Sequence, residues 1–530
     1  MLVLGQTWIL LSQSLTDEIC PYGREARGRV GSYSILVKGM FFGMIQVFTN
    51  KENYQYDIHS LIKAFYPEHD VKVHDISEKN MTSMSEMESF CEVIIGEESI
   101  ELIIAVLDSG EKKYYKQVID NNGKNGFKLA LYEFLCDYTG KTLPWGNLTG
   151  IRPTKLPMGM IYEGKSDKEI LEWLKQTHAV SDEKSLLSLD IAKREKSILE
   201  RIHYKDGYSL YIGIPFCPTT CLYCSFTSYP ISVWRKRISE YLDALFKEID
   251  YVAEAFKSKI LDTIYIGGGT PTTLEADELD ILLKKITETL DFSNVKEFTV
   301  EAGRADSITA EKLEVLKKYG VTRISVNPQT MKDETLKLIG RQHTVSQVKD
   351  VFALARQIGF DNINMDIILG LPGEMEEDVT NTIEEIKKLN PDSLTVHSLA
   401  IKRASKLRQW IEENGISTLR NTDSTMDIAS KGADAMDMKP YYLYRQKNMS
   451  GNFENVGYAR EGKYGIYNIL IMEEVQTIVA LGAGSITKRV LGDGRIERCD
   501  NVKDIGLYIE KIDEMIERKK ELFSIPEKEI

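Results

Sequence analysis

Cys217, Cys221 and Cys224 stand at spacings of four and three in the segment IPFCPTTCLYCSF. Their thiolates are ligands for soft metals. A structural zinc site takes four ligands and a disulfide takes two, and among the other histidines and cysteines only His203 lies near in sequence. Three thiolates suit three irons of a 4Fe-4S cube, leaving the fourth iron open to a small molecule with a nitrogen and an oxygen donor. Zinc binding or thiol redox chemistry by the C-x-x-C pair are the competing readings.

Other residues able to do chemistry follow apolar runs. Gly267 to Gly269 close TIYIGGG, where missing side chains let backbone approach a ligand; the plainer reading is a tight turn. Glu301 in EFTVEAG and Asp366 in INMDIILG suit an ammonium or ribose hydroxyls, although an acid at such a place more often caps the next helix. Gln329 follows RISVN. Arg341 in IGRQH has the donors for a bidentate carboxylate contact, yet a lone arginine is usually a solvated charge.

These residues need a scaffold that gathers them. YSLYIGI, TIYIGGG, EFTVEAG, RISVNPQ, INMDIILG and SLTVHSL read as strands, each of the first five followed by an amphipathic helical stretch. A chain of such units makes a parallel sheet buried on both faces. Open sheet or barrel, its ligand site lies at the carboxyl ends of the strands, where these residues fall.

At 530 residues the chain exceeds one compact core. The expected divisions are an unpatterned, poorly ordered extension over 1–43, a small α/β domain over 44–145, a connector and helices over 146–205, the parallel unit over 206–400 and a mixed C-terminal region over 401–530. Met44, which opens a strand-like run, is the expected true start. The connector carries the turn-rich LPWGNLTGIRPTKLPMG. A net charge of −13 argues against general affinity for nucleic acid or anionic membrane. Seven scattered or clustered cysteines, without an export signal or a bilayer-length apolar run, point to a reducing, cytoplasmic setting.

The C-x-x-x-C-x-x-C triplet followed by GGGTP resembles the radical S-adenosylmethionine superfamily, and over 205–490 the chain resembles its oxygen-independent coproporphyrinogen III oxidases, in a longer variant with an extra N-terminal domain. The resemblance implies an α/β fold with a partial (β/α)6 barrel. It implies a 4Fe-4S cluster on Cys217, Cys221 and Cys224, and two S-adenosylmethionine molecules. Their contacts map onto Tyr211, Tyr223, Gly268, Gly269, Thr270, Glu301, Gln329, Arg341, Asp366 and Ala400, with Tyr211, Glu301 and Arg341 as catalytic candidates. It implies a reducing donor such as flavodoxin or ferredoxin, and a 5′-deoxyadenosyl radical that starts oxidative decarboxylation of two porphyrinogen propionates to vinyl groups, giving protoporphyrinogen IX.

Propionates need cations, and Lys402, Arg403, Arg445 and Lys447 are the candidates, with Tyr441, Tyr442 and Tyr444 to cover the macrocycle. The sequence departs from the family in one place: Phe226 stands where well-known oxidases carry a fourth cysteine, which resembles the related haem chaperones. Those chaperones use an H-N-x-x-Y-W element, whereas YGIYNILIMEE lacks the histidine. The expectation is an oxidase, with a haem-binding chaperone or another radical enzyme as the alternative.

Overall fold

The structure is a computed structural model that describes residues 44–67, 69–78, 89–108, 111–150, 152–226, 228–402, 405–415, 419–446, 453–492 and 494–526. The expectations for 1–43, Arg403 and Lys447 lie outside the described residues.

Short apolar runs pair first into a five-stranded sheet of β1 (Ile45–Thr49), β2 (Val71–Asp75), β3 (Ser89–Ile95), β4 (Ser99–Asp108) and β5 (Glu111–Asp120), in the order β2-β1-β3-β4-β5. The helices α1 (Gln55–Phe65) and α2 (Gly123–Thr139) bury Ile58, Leu61, Ile62, Phe127 and Leu131 with Ile45, Val47 and Leu102 of the sheet. Three helices follow: α3 (Lys155–Tyr162), α4 (Asp167–His178) and α5 (Asp182–Leu199). Ser166 and Ser181 accept from backbone N–H groups in the first turns of α4 and α5, satisfying donors that a helix start leaves free.

The six expected strands form β6 (Gly207–Ile214), β7 (Ile260–Gly268), β8 (Glu297–Gly303), β9 (Arg323–Val326), β10 (Ile363–Leu369) and β11 (Ser393–Ser398). Each pairs in parallel with the next. The crossovers are α6 (Ile238–Ala255), α7 (Ala276–Thr289), α8 (Ala310–Lys318), the pair α9 (Asp333–Leu338) and α10 (Val345–Ile358), and α11 (Glu376–Leu389).

Strand alternation gives the two faces different chemistry. Leu210, Ile264, Val300, Ile324, Met365 and Leu394 are all buried in the apolar core shared with the helices. Their neighbours Ser209, Thr263, Thr299, Arg323, Asn364 and Ser393 are buried but polar. These polar residues bond one another: Thr263 donates to Ser209 at 2.8 Å, Arg323 to Ser393 at 3.0 Å and Ser393 to Asn364 at 2.9 Å. The inner face of the sheet is thus a hydrogen-bonded polar floor.

The C-terminal region extends this sheet on both sides. After α12 (Leu407–Asn414) and α13 (Asp423–Ala435), β12 (Lys439–Tyr444) and β13 (Asn455–Ala459) add beyond β11, with β13 antiparallel to it. Then α14 (Ile466–Glu473) leads to β14 (Thr477–Leu481), which lies parallel against β6 and is followed by β15 (Ile486–Val490) and β16 (Ile496–Asp500). The order in this 11-stranded sheet is β12-β13-β11-β10-β9-β8-β7-β6-β14-β15-β16, so among the described residues the barrel is open.

The last helices, α15 (Ile505–Glu510) and α16 (Ile512–Ser524), fasten this end. Lys519 and Glu248, both fully buried, pair at 2.6 Å. Glu248 also accepts from Asn501 at 2.9 Å and from the Gly482 N–H at 2.8 Å. No helix among the described residues is long and apolar enough to cross a membrane.

Candidate functional site

A cavity of about 700 Å³ opens over the polar floor at the carboxyl ends of the strands. Cys217, Cys221 and Cys224 line it, as do Tyr211, Tyr223, Gly268, Gly269, Thr270, Glu301, Gln329, Arg341, Asp366 and Ala400. Every residue singled out from the sequence for cluster or S-adenosylmethionine contact therefore faces one space.

The cysteine loop is tied to several elements. Arg304, just past β8, donates from Nη1 to Thr219 Oγ1 at 2.8 Å and is itself held by Asp306 at 2.6 Å. Thr219 donates onward to the Gly340 carbonyl at 2.8 Å, and the Leu222 N–H reaches the Ile339 carbonyl at 2.9 Å. The Leu222 carbonyl accepts from the Leu407 N–H at 2.9 Å. The loop's course is thus fixed by main-chain and buried polar contacts.

The three thiols are free and line the cavity. Burial pushes the Cys217 and Cys224 thiols up, so they need a bound cation to ionise readily. Among the described residues no three His, Cys, Asp or Glu side chains converge on a single-ion site. Separate thiols facing a shared space fit a multi-iron cluster with one thiolate per iron.

The glycine turn is built for close approach. The Gly269 N–H donates to the Ile214 carbonyl at 2.8 Å, and a Cβ at Gly269 would lie 2.4 Å from the Phe216 carbonyl oxygen. Gly268 has φ +107, a conformation that side chains disfavour. Gln329 adopts φ +69 although it is not glycine, and it is held there because its N–H bonds the Asp366 carbonyl while its carbonyl accepts from Ile368, each at 2.9 Å. Such a conformation in a non-glycine residue persists only where its surroundings enforce it.

The two carboxylates differ. Burial pushes the Glu301 carboxyl up to about 7, with Asp366 adding to the shift and a hydrogen bond from the Tyr265 hydroxyl opposing it. Asp366 is also penalised by burial, but His397, Asn364 and Thr395 outweigh that and hold it below the usual range. Asn364 donates to it at 2.7 Å, and His397 Nε2 lies 3.8 Å away. Arg341 donates to the Asn327 carbonyl at 2.7 Å and to the Tyr223 hydroxyl at 3.2 Å. Its Nε, Ser325 Oγ and Asn327 Oδ1 are buried without a partner among the described residues, so the cavity wall holds polar capacity for a ligand.

Several wall residues escaped the sequence reading. Tyr265 and Tyr467 stack at 4.5 Å between ring centroids, with Tyr211 6.2 Å from Tyr265. Tyr211 and Tyr265 are direct partners in the β6–β7 register, so aligning the two strand motifs would have exposed that pair. His397, Arg304 and Arg323 carried no local signal.

Two expectations need correction. Tyr442 and Tyr444 line the cavity, but Tyr441 does not: it is the extra residue of a β-bulge between Pro440 and Tyr442 and is buried in a cluster with Ile198, Ile469 and Leu470. Arg445 likewise points away: it is buried and donates to the Leu148 carbonyl at 2.5 Å. The bulge removes Tyr441 from the regular alternation, and Arg445 lies just past the end of β12. Lys402 lines it, half-buried, with its ammonium held below its usual value by burial. His203 sits at the other end of β6, 3.1 Å from Asp262, and does not line the cavity.

The radical SAM superfamily matches residues 211–386, from within β6 to within α11. The oxygen-independent coproporphyrinogen-III oxidase-like protein HemZ of Bacillus subtilis is 43% identical over 417 residues, covering 78% of this chain and 82% of that protein. The chain belongs to the radical SAM superfamily, among its oxygen-independent coproporphyrinogen-III oxidase-like proteins. The heme chaperone HemW of Bacillus subtilis is 40% identical over 195 residues, 37% of this chain and 51% of that one. The solved coproporphyrinogen III oxidase HemN of Escherichia coli aligns at 23% identity and a TM-score of 0.49, covering 61% of this chain and 72% of that one. Membership in the superfamily implies a 4Fe-4S cluster and S-adenosylmethionine, and the free thiols and unpartnered polar atoms of the cavity fit both.

Proposed function

We propose that this radical SAM protein oxidatively decarboxylates two propionates of coproporphyrinogen III to vinyl groups. The observation that carries the reading is the single cavity in which three free thiols, the Gly268–Thr270 turn, Glu301, Asp366 and Arg341 share space with Tyr442, Tyr444, Tyr467 and Lys402. Cys217, Cys221 and Cys224 hold the cluster. Glu301, Gln329 and Arg341 bind the polar ends of S-adenosylmethionine, and Asp366 takes its ribose hydroxyls. When bound, these groups supply one-electron cleavage and a carbon-centred radical. The tyrosines cover the macrocycle, Lys402 pairs with a propionate, and the wall excludes water from the reacting carbon. A reduced carrier such as flavodoxin or ferredoxin supplies the electron for cofactor cleavage, and an electron acceptor takes up the one electron that each propionate gives up, after hydrogen abstraction, as carbon dioxide leaves.

A second reading, a protein that holds haem without oxidising porphyrinogens, is favoured by Phe226, which is 78% exposed at the cavity. One anaerobic assay separates the two. Reconstituted protein with S-adenosylmethionine, a reductant and coproporphyrinogen III should release carbon dioxide and form vinyl groups. Cofactor cleavage without decarboxylation, or stoichiometric haem retention without product, would overturn the oxidase.

A further inference from the structure

The turn-rich connector between the N-terminal sheet and the barrel has no place in the chemistry above, yet its side chains end on the wall of the cavity. Trp145, 1% exposed, donates from Nε1 to Glu454 Oε2 at 2.7 Å. Lys184 of α5 holds the other oxygen of Glu454 at 2.8 Å. Glu454 stands directly before Asn455, whose side chain accepts from the Ser398 N–H at 2.9 Å, while the Ser398 hydroxyl donates to the Glu454 carbonyl at 2.8 Å. Asn455 and Ser398 both line the cavity.

Seven residues along, Arg152 makes a second attachment. Its Nη1 donates to the Met472 carbonyl at 2.9 Å and its Nη2 pairs with Glu474 at 2.8 Å. Glu474 also pairs with Lys488 at 2.9 Å. Met472, Ile471, Asn468 and Tyr467 of α14 line the cavity, and so does Lys488. The connector is itself rigidly seated: Gly146, at φ +53, packs so closely that a Cβ would lie 1.9 Å from the His178 carbonyl oxygen, and the Asn147 N–H bonds that same oxygen at 2.9 Å.

None of these contacts touches the cysteine loop, whose anchors are Arg304, Ile339, Gly340 and Leu407. We propose that Trp145 and Arg152 of the connector form a brace that sets the C-terminal wall of the cavity and act as positioning residues for the substrate. The extra N-terminal region thereby tunes the substrate side of the cavity and leaves the cluster side alone. The brace stands on the contacts above; only its assignment to the porphyrinogen side rests on the proposed function.

The test uses the full chain in three variants. Arg152→Gln removes the ion pair with Glu474, Arg152→Lys keeps a charge there, and Trp145→Phe keeps the ring while deleting its donor. Hydrogen exchange should rise in 455–474 in Arg152→Gln and Trp145→Phe, stay near wild type in Arg152→Lys, and remain unchanged in 214–226. On reconstituted protein, S-adenosylmethionine cleavage without substrate should persist, while KM for coproporphyrinogen III rises roughly tenfold with a smaller change in kcat. Exchange that rises equally in both segments, or in neither, would overturn the brace. A wild-type protein that leaves coproporphyrinogen III untouched would remove the substrate assignment and leave the exchange result to decide the brace.

Discussion

Glu301 shows how one side chain is held between two demands. Its carboxyl ionises at about 7 in the fold and near 4.5 in an open chain, so the ligand-free native state keeps an extra proton between those values. Native stability from this group therefore falls as pH rises across that window, because the unfolded state gives up the proton first. Glu301→Gln should flatten this slope and raise stability at about pH 8 by roughly 1–3 kcal/mol in thermal unfolding, while weakening S-adenosylmethionine binding. Tyr265→Phe removes a hydrogen bond that favours the ionised form, so the pH midpoint for cofactor cleavage should move upward. For the cysteines, Cys221→Ala should abolish the cluster's visible absorbance; a retained four-iron spectrum would defeat the ligand assignment.

At the scale of elements, the glycine turn after β7 is the tightest joint in the site. Gly269→Ala places a methyl against the Phe216 backbone, which cannot rotate aside, and should cost about 1–3 kcal/mol in denaturant unfolding together with cofactor binding. This joint was legible in the sequence because glycine runs after apolar strands carry their reason with them. The six strands β6 to β11 were legible because their core-facing positions, such as Ile264, Val300 and Ile324, are apolar and β-branched, whereas the polar inner face was not foreseen. The C-terminal strands were not. KPYYLY and NVGYA give no sign that they add to the far edge of the same sheet, nor TIVAL that it returns to β6, because pairing partners are a tertiary choice. Arg445 was misplaced because it lies just past the end of β12, where nothing local shows which way a side chain turns. His397 and Tyr265 were missed because a histidine or tyrosine inside a strand reads as core until the cavity face is known.

On the scale of the whole molecule, the barrel depends on its last helix. Lys519 and Glu248 are buried with Asn501 and the Gly482 N–H around them. Removing one partner strands the other charge, so Lys519→Met should destabilise by about 3–5 kcal/mol in chemical unfolding, whereas replacing both with apolar residues should cost far less. The loss should also loosen Gly484 and Ser485, which line the cavity just after the tethered Gly482.

The pairing of β14 with β6 has a consequence for how the chain is made. Strands β6 to β11 lie side by side in the order in which they leave the ribosome, and each can dock on its predecessor as it emerges. The outer edge of β6 has no such early neighbour. GYSLYIGI, apolar and unpaired along one side, must wait for Thr477–Leu481, which is made long after β11. A nascent or C-terminally shortened chain therefore carries a sticky strand edge beside its cysteine loop, and shortened forms should gather into aggregates through that edge even when the cysteines are intact.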